Sequence, residues 1–109
     1  MTITHSRPSL DDEEILAIKN VLSSGQLAQG PQVQSFEEEF GRFLELLPGV
    51  ATSSGTAALH LALLSLGVGP GDEVLLPSYV CSAPLHAAYH SGATPVLVDV
   101  DPTTGNMDP

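Results

Sequence analysis

The 109-residue chain has very few positively charged side chains. Its basic residues other than histidine are Arg7, Lys19 and Arg42, and 13 acidic residues give it a formal net charge of −10. Binding to the phosphate backbone of nucleic acids depends on clusters of lysine and arginine, and so does binding to an anionic membrane surface. The composition therefore argues against nucleic acid and membrane lipid as partners.

Cysteine and long apolar runs are also scarce. Cys81 is the only cysteine, so no disulfide can form within the chain. No segment reaches the roughly 20 apolar residues of a membrane-spanning helix, and no signal peptide is recognisable at the start. With 42% hydrophobic residues and a length that suits one small domain, the sequence predicts a packed, soluble, cytoplasmic protein.

Two helices are predicted in the first half of the chain. The first covers 11–23, with Ser9 or Asp11 as its N-cap. The second covers 32–46 and follows Pro31, which suits the first helical position. We interpret the acidic residues of both helices as solvated faces, rather than as metal ligands or catalytic carboxylates. The apolar stripe predicted for the second helix consists of Val33, Phe36, Phe40, Phe43 and Leu47.

The central stretch, residues 50–67, predicts a strand, a tight turn and a helix. The strand ends over 50–52, the turn covers 53–55, and the helix covers 56–66 with Gly67 stopping it. This helix is apolar nearly all round, which is typical of a buried helix. Its start has free N–H groups, hydroxyls and the positive end of the helix dipole, a combination that suits an anion such as a phosphate. The alternative is that Ser54 merely caps a core helix.

The remainder of the chain predicts further alternation of strands and helices. We expect a strand over 73–76, a helix over 82–91, and a strand over 95–100 that is buried on both faces. Such alternation is typical of an α/β fold with right-handed crossovers and a parallel sheet. Ligands bind beyond the carboxyl ends of the strands in these sheets. The loops at 53–56 and 77–81 are therefore expected to converge on one ligand.

Three further patterns come close to known sites but fail on spacing or context. His86 and His90 are four residues apart, as metal-binding histidines are, but no third ligand is evident. The acidic turn at 99–105 lacks the spacing of a calcium loop. The glycines at 67 and 69 follow a helix and lack the third glycine of a dinucleotide-binding fingerprint. We therefore predict ordinary turns and no metal site.

Four sequence blocks follow one another in a specific order. They read SGQLAQGP at 24–31 with FE at 36–37, SGTAALHLAL at 54–63, GDEVLLPS at 71–78 and GATPVLVDVDP at 92–102. Together they cover nearly the whole chain. On these blocks the chain resembles the N-terminal part of the DegT/DnrJ/EryC1/StrS family of sugar aminotransferases, which use pyridoxal 5′-phosphate (PLP).

The resemblance implies a PLP-dependent transferase of type I fold, an α/β fold in which helices flank a mostly parallel sheet. Residues 1–109 would supply the N-terminal helices and the first βαβαβ part of the large PLP-binding domain, leaving that domain incomplete. The implied activity is transfer of an amino group from glutamate or glutamine to a nucleotide-linked keto sugar. A homodimer and a place in polysaccharide or antibiotic sugar biosynthesis are implied as well.

The resemblance also assigns cofactor-binding positions. Thr56 and the backbone of Ala57 would hold the cofactor phosphate, with Ser54 and Gly55 beside them. The position of Cys81 usually carries an aromatic residue that stacks on the cofactor ring, and a thiol would make a softer, polarisable contact instead. The alternative for Cys81 is a small buried hydrophobic residue.

Two groups that the chemistry needs are expected beyond residue 109. These are the family's Schiff-base lysine and the aspartate that pairs with the pyridine nitrogen. Lys19 lies outside all four blocks, so we assign no catalytic residue and expect the chain alone to be inactive. The alternatives are a PLP-dependent sugar dehydratase, in which the lysine is replaced, and a truncated, non-catalytic chain that binds an anion or pairs with a full-length subunit. A nucleotide-binding domain is a more distant possibility.

Overall fold

A computed structural model describes residues 6–108 of the chain. It divides into two compact units, Met1–Val50 and Ala51–Pro109. None of the helices in the described range is long and apolar enough to cross a membrane. The elements in chain order are α1 (Asp12–Ser24), α2 (Pro31–Phe43), α3 (Gly55–Ser65), β1 (Glu73–Pro77), α4 (Ala83–Ser91) and β2 (Thr94–Val98).

Helix α1 has well-defined signals at both ends. The Asp11 carboxylate accepts the N–H of Glu13 at 2.9 Å, and the Glu14 carboxylate accepts the N–H of Asp11 at 2.8 Å, which completes a capping box. Gly25 ends the helix in the left-handed conformation, with φ of 71°. The predicted helix is confirmed to within one residue at each end. Of the two proposed N-cap residues, Asp11 is the one that caps the helix.

Helix α2 begins at Pro31, as predicted, but ends at Phe43, three residues before the predicted end. The cause is local, because Glu45 adopts φ of 57° and the N–H of Leu46 turns back to the carbonyl of Gly41 at 2.9 Å. A positive φ in a residue other than glycine interrupts a right-handed helix. Leu47 therefore lies outside the helix, and its assignment to the apolar stripe is wrong.

The second unit contains a two-stranded parallel sheet. Glu73 pairs with Thr94 at one end and Pro77 with Val98 at the other. Helix α4 connects the strands and packs on both of them and on α3, as a parallel pair requires a crossover. The predicted α/β class and parallel pairing are confirmed. Among the described residues, the buried apolar side chains are those of Leu76, Ala87, Ala88 and Ala93.

The prediction of a strand over 50–52 is wrong. Within the described residues, the sheet consists of β1 and β2. Extended residues become a strand only when a neighbouring strand supplies partners for their N–H and C=O groups. The Thr52 hydroxyl instead donates to the carbonyl of Ser54 at 3.0 Å, so this segment leads directly into the turn before α3.

The predicted burial of α3 and β2 on all sides is also wrong. Helix α3 has no fully buried residue, and Leu61 and Leu64 are 47% and 49% exposed. Leu97 of β2 is 66% exposed, and β2 ends at Val98 rather than at residue 100. Val100 pairs instead with Met107 in an isolated antiparallel bridge. Apolar composition predicts a preference for burial, but only covering elements can bury every face.

Candidate functional site

The start of α3 is built around the side chain of Ser54. This N-cap residue is extended, and its hydroxyl oxygen accepts the N–H of Ala57 at 3.1 Å. Its carbonyl accepts the N–H of Ala58 at 3.0 Å. Capping by Ser54 is therefore confirmed, and it occupies the N–H of Ala57. Within residues 6–108, the N–H groups of Gly55 and Thr56 have no hydrogen-bond partner, as expected for the first turn of a helix.

Gly55 has free space beside it at the start of the helix. A Cβ atom built on Gly55 would have nothing within 4 Å. Ser54 and Gly55 are exposed, while Thr56 and Ala57 are half-buried. The first turn of α3 contains no acidic residue that would repel an anion. Two unused N–H donors, a hydroxyl and the positive end of the helix dipole therefore fit a phosphate group.

The start of α3 points to the end of the sheet where both strands finish. Beyond the far ends of the two helices, Pro70 lies so close to Gly92 that a Cβ there would be 3.1 Å from the proline ring. The N–H of Thr94 also donates to the carbonyl of Asp72 at 2.9 Å. Helices α3 and α4 thus end together beside the starts of β1 and β2. Helix α4 joins the end of β1 to the start of β2, so its own start lies at the carboxyl ends of the strands. Helix α3 packs on α4 and ends beside it, which places the start of α3 on the same side of the sheet.

The loop 78–82 follows β1 at this same end of the sheet. Its first residue, Ser78, donates its N–H to the carbonyl of Val98 at 2.8 Å. The Ser78 hydroxyl donates to the carboxylate of Asp99, with 3.5 Å between the two oxygens. Cys81 has an exposed thiol, so the alternative of a buried hydrophobic residue is wrong. The loop therefore presents a free thiol beyond the carboxyl end of β1.

The five predicted cofactor-binding residues lie on two separate segments. Ser54, Gly55, Thr56 and Ala57 form one continuous turn, and Cys81 lies on a separate loop; no hydrogen bond joins Cys81 to that turn in the described range. Our sequence interpretation missed the link from Ser78 to Asp99, treating Asp99 only as the end of a strand. The signal that could have found it is that both residues directly follow strands predicted to be parallel.

The turn after β2 is held together by Asp101. Its carboxylate accepts hydrogen bonds from the Thr103 hydroxyl, the Thr103 N–H and the Thr104 N–H. These bonds, with the Thr103 hydroxyl contributing most, lower the pKa of the Asp101 carboxyl below its ordinary value. The carboxylate thus has a structural role in this turn, in agreement with the turn predicted from the sequence.

Three histidines lie close together on α3 and α4. The ring centroid of His60 is 5.7 Å from that of His90, and the His86 and His90 centroids are 6.4 Å apart. The Nε2 atom of His60 is buried without a hydrogen-bond partner in the described part of the chain. The structure thus brings a third histidine to the pair noted in the sequence. No group of three or more potential ligands in residues 6–108 has a geometry that could hold a metal ion.

The α/β unit, with free backbone donors at a helix start beyond its parallel strands, agrees with the class of enzyme that the sequence resembles. The family model of the DegT/DnrJ/EryC1/StrS aminotransferase family matches residues 8–109. The chain belongs to this family. The predicted resemblance is therefore confirmed.

Individual relatives agree with this assignment. The spore coat polysaccharide biosynthesis protein SpsC of Bacillus subtilis is 45% identical over 107 residues, which are 98% of this chain and 28% of SpsC. The PLP-form of Spr1654 from Streptococcus pneumoniae, described as a sugar aminotransferase, has 37% identity and a TM-score of 0.91 over 99% of this chain and 28% of its own.

A third relative is the B. subtilis protein NtdA, whose structure contains the cofactor PMP. It is 38% identical, with a TM-score of 0.81 over 91% of this chain and 24% of its own. The chain therefore spans about a quarter of the length of these relatives. At these identities and TM-scores, the predicted type I fold is confirmed over the matched part.

Proposed function

We propose that this chain forms the phosphate-binding part of a PLP-dependent aminotransferase that moves an amino group from an amino acid to a nucleotide-linked keto sugar. The observation that carries the proposal is the start of α3, where the N–H groups of Gly55 and Thr56 have no hydrogen-bond partner within residues 6–108 and a Cβ on Gly55 would meet nothing within 4 Å. Bound PLP would supply the electron sink that amino transfer requires. The residues of this chain bind and orient it.

The hydrogen bonds at the start of α3 indicate which residues contact the phosphate and which hold the turn in place. Gly55 and Thr56 donate their N–H groups to phosphate oxygens, and the Thr56 hydroxyl donates a third hydrogen bond. Ser54 acts indirectly, since its bond to Ala57 fixes the backbone of the first turn. We call the turn formed by residues 54–57 the phosphate cradle. Ala57 contributes to it through its N–H, which donates to the Ser54 hydroxyl. With only three lysine and arginine residues in the chain, backbone dipoles and hydroxyls carry most of this binding.

Cys81 is proposed to contact the face of the cofactor ring. Its thiol is exposed on the loop that follows β1, and sulfur offers a polarisable surface to an aromatic ring. The contact between the sulfur and the ring is softer than stacking by an aromatic side chain. We therefore propose that the role of Cys81 is to orient the ring.

The relatives support the wider proposal. Spr1654 has been solved in a PLP-form and NtdA with PMP, and SpsC takes part in spore coat polysaccharide biosynthesis. Our proposal includes the nucleotide linkage of the sugar, a homodimer and a cytoplasmic location. It also includes the role of residues 1–109 as the first part of the large cofactor-binding domain.

The proposal is tested on the full-length protein with glutamate or glutamine as donor and a panel of nucleotide-linked keto sugars as acceptors. We expect PLP-dependent formation of an amino sugar together with the 2-oxo acid of the donor. Loss of a hydroxyl from the sugar without a gain of nitrogen would identify a dehydratase instead. Binding of inorganic phosphate without binding of PLP would support the non-catalytic, anion-binding alternative.

A further inference from the structure

A link between two strand ends lies outside the phosphate cradle. Ser78 and Asp99 directly follow β1 and β2, and the ladder between the strands continues to the N–H of Ser78, which donates to the carbonyl of Val98 at 2.8 Å. The exposed Ser78 hydroxyl then donates a long hydrogen bond to the exposed Asp99 carboxylate, with 3.5 Å between the two oxygens. This bond joins side chains that are 21 residues apart in the sequence.

Asp99 is itself held in place from two sides. The carboxylate oxygen that faces Ser78 also accepts the N–H of Val100 at 3.0 Å. The carbonyl of Asp99 accepts the N–H of Asp108 at 3.1 Å. A side chain fixed by its neighbouring backbone has few other orientations available. Asp99 is therefore a preset acceptor rather than a mobile surface carboxylate.

The loop that begins at Ser78 has little else to fix it. In the described range, residues 79–81 form no hydrogen bond, and Tyr79 is 81% exposed. At its far end, the carbonyl of Ser82 accepts the N–H of His86 at the start of α4. The position of Cys81 thus depends on two anchors, of which Ser78 is the one tied to a second strand.

We infer that Asp99 is a positioning residue, which holds Ser78 and thereby places Cys81 against the face of the cofactor ring. This inference rests on the proposed function and adds to it a residue that does not itself touch the cofactor. Because the link acts on the ring side of the site, its loss should weaken contacts to the ring and leave contacts to the phosphate intact.

The test measures dissociation constants of PLP and of pyridoxal for the full-length protein and its variants. Pyridoxal lacks the phosphate, so its binding reports on ring contacts without the cradle. We expect Asp99→Ala and Ser78→Ala each to weaken both ligands by a similar factor, roughly three- to tenfold. Asp99→Asn keeps an oxygen that accepts from Ser78, so it should restore near-normal binding. The double variant should be no weaker than Asp99→Ala alone.

Asp108→Ala serves as the matched control, because it removes a carboxylate from the same turn while its backbone N–H still bonds to Asp99. It should bind both ligands normally. Unchanged binding by Asp99→Ala and Ser78→Ala, a loss confined to PLP, or failure of Asp99→Asn to restore binding would each overturn the inference. If the unmodified protein binds neither ligand, the proposed function fails and the inference with it; normal binding by Asp99→Ala overturns the inference alone.

Discussion

The hydroxyl of Ser54 lies 3.1 Å from the N–H of Ala57 and closes the first turn of α3. This single bond decides which backbone donors remain for a ligand, since it uses the third N–H of the helix and leaves those of Gly55 and Thr56. A serine at this position therefore stabilises the helix and leaves two backbone donors at its start.

Replacing Thr56 by valine keeps the shape of the side chain and removes its hydroxyl. If this hydroxyl donates to the cofactor phosphate, the full-length protein should lose about 1.5–3 kcal/mol of PLP affinity. Pyridoxal binding should change little, since it lacks the phosphate. A PLP titration of both proteins measures the difference.

The matched control is Thr94→Val, the same substitution at the opposite end of the sheet, where β2 begins. It should bind PLP normally. Equal dissociation constants for Thr56→Val and the unmodified protein would remove the Thr56 hydroxyl from the site.

Replacing Ser54 by alanine removes the acceptor of the Ala57 N–H. Loss of an N-cap costs about 0.5–2 kcal/mol of stability, and we expect the free energy of unfolding to fall by that amount in a denaturant titration. Ser54→Thr keeps a hydroxyl at the cap and should lose much less. The capping role would be refuted if both variants were equally destabilised.

Thr103→Val should raise the pKa of Asp101. The Thr103 hydroxyl makes the largest contribution to lowering that pKa, by bonding to the charged carboxylate. A lowered pKa means that ionised Asp101 favours the folded turn above its unfolded pKa, and that this contribution is lost as the pH falls through the folded pKa. An NMR titration of the Asp101 carboxyl measures the shift directly.

Thr104→Val is the control, since only the backbone N–H of Thr104 bonds to Asp101. Its Asp101 pKa should match that of the unmodified protein. Equal pKa values in all three proteins would show that the Thr103 hydroxyl does not stabilise the charge.

Replacing Gly41 by alanine should destabilise the end of α2. A Cβ at this position would lie 2.6 Å from the carbonyl oxygen of Leu47, which is backbone and cannot rotate away. We expect a loss of roughly 1–3 kcal/mol and faster hydrogen exchange in α2. Gly49→Ala is the comparison, because a Cβ there meets nothing within 4 Å. Similar stabilities for the two variants would contradict the close packing at Gly41.

Residues 1–109 expressed alone should self-associate. Large apolar side chains are exposed in both units, among them Phe43 at 82%, Leu47 at 87% and Leu66 at 78%. Apolar surface of this extent favours association in water. Light scattering at increasing concentration measures it, and a monomer that unfolds in one cooperative transition would contradict the prediction.

The sequence by itself determined the features that rest on local chemistry. Pro31 and Gly25 mark helix ends because their backbone preferences act within a few residues, and Gly67 adopts the left-handed conformation predicted for a helix stop. The alternation of strands and helices likewise predicted the parallel pair, and the four sequence blocks predicted the family.

Tertiary structure decided which faces are covered and which distant side chains meet. Residues 50–52 have strand-like chemistry but no adjoining strand in the described sheet, and α3 has buried-helix chemistry without elements to cover each face. The bond between Ser78 and Asp99, and the approach of His60 to His90, join residues 21 and 30 positions apart. Backbone preference is a property of a few consecutive residues, whereas burial and such contacts depend on the path of the whole chain.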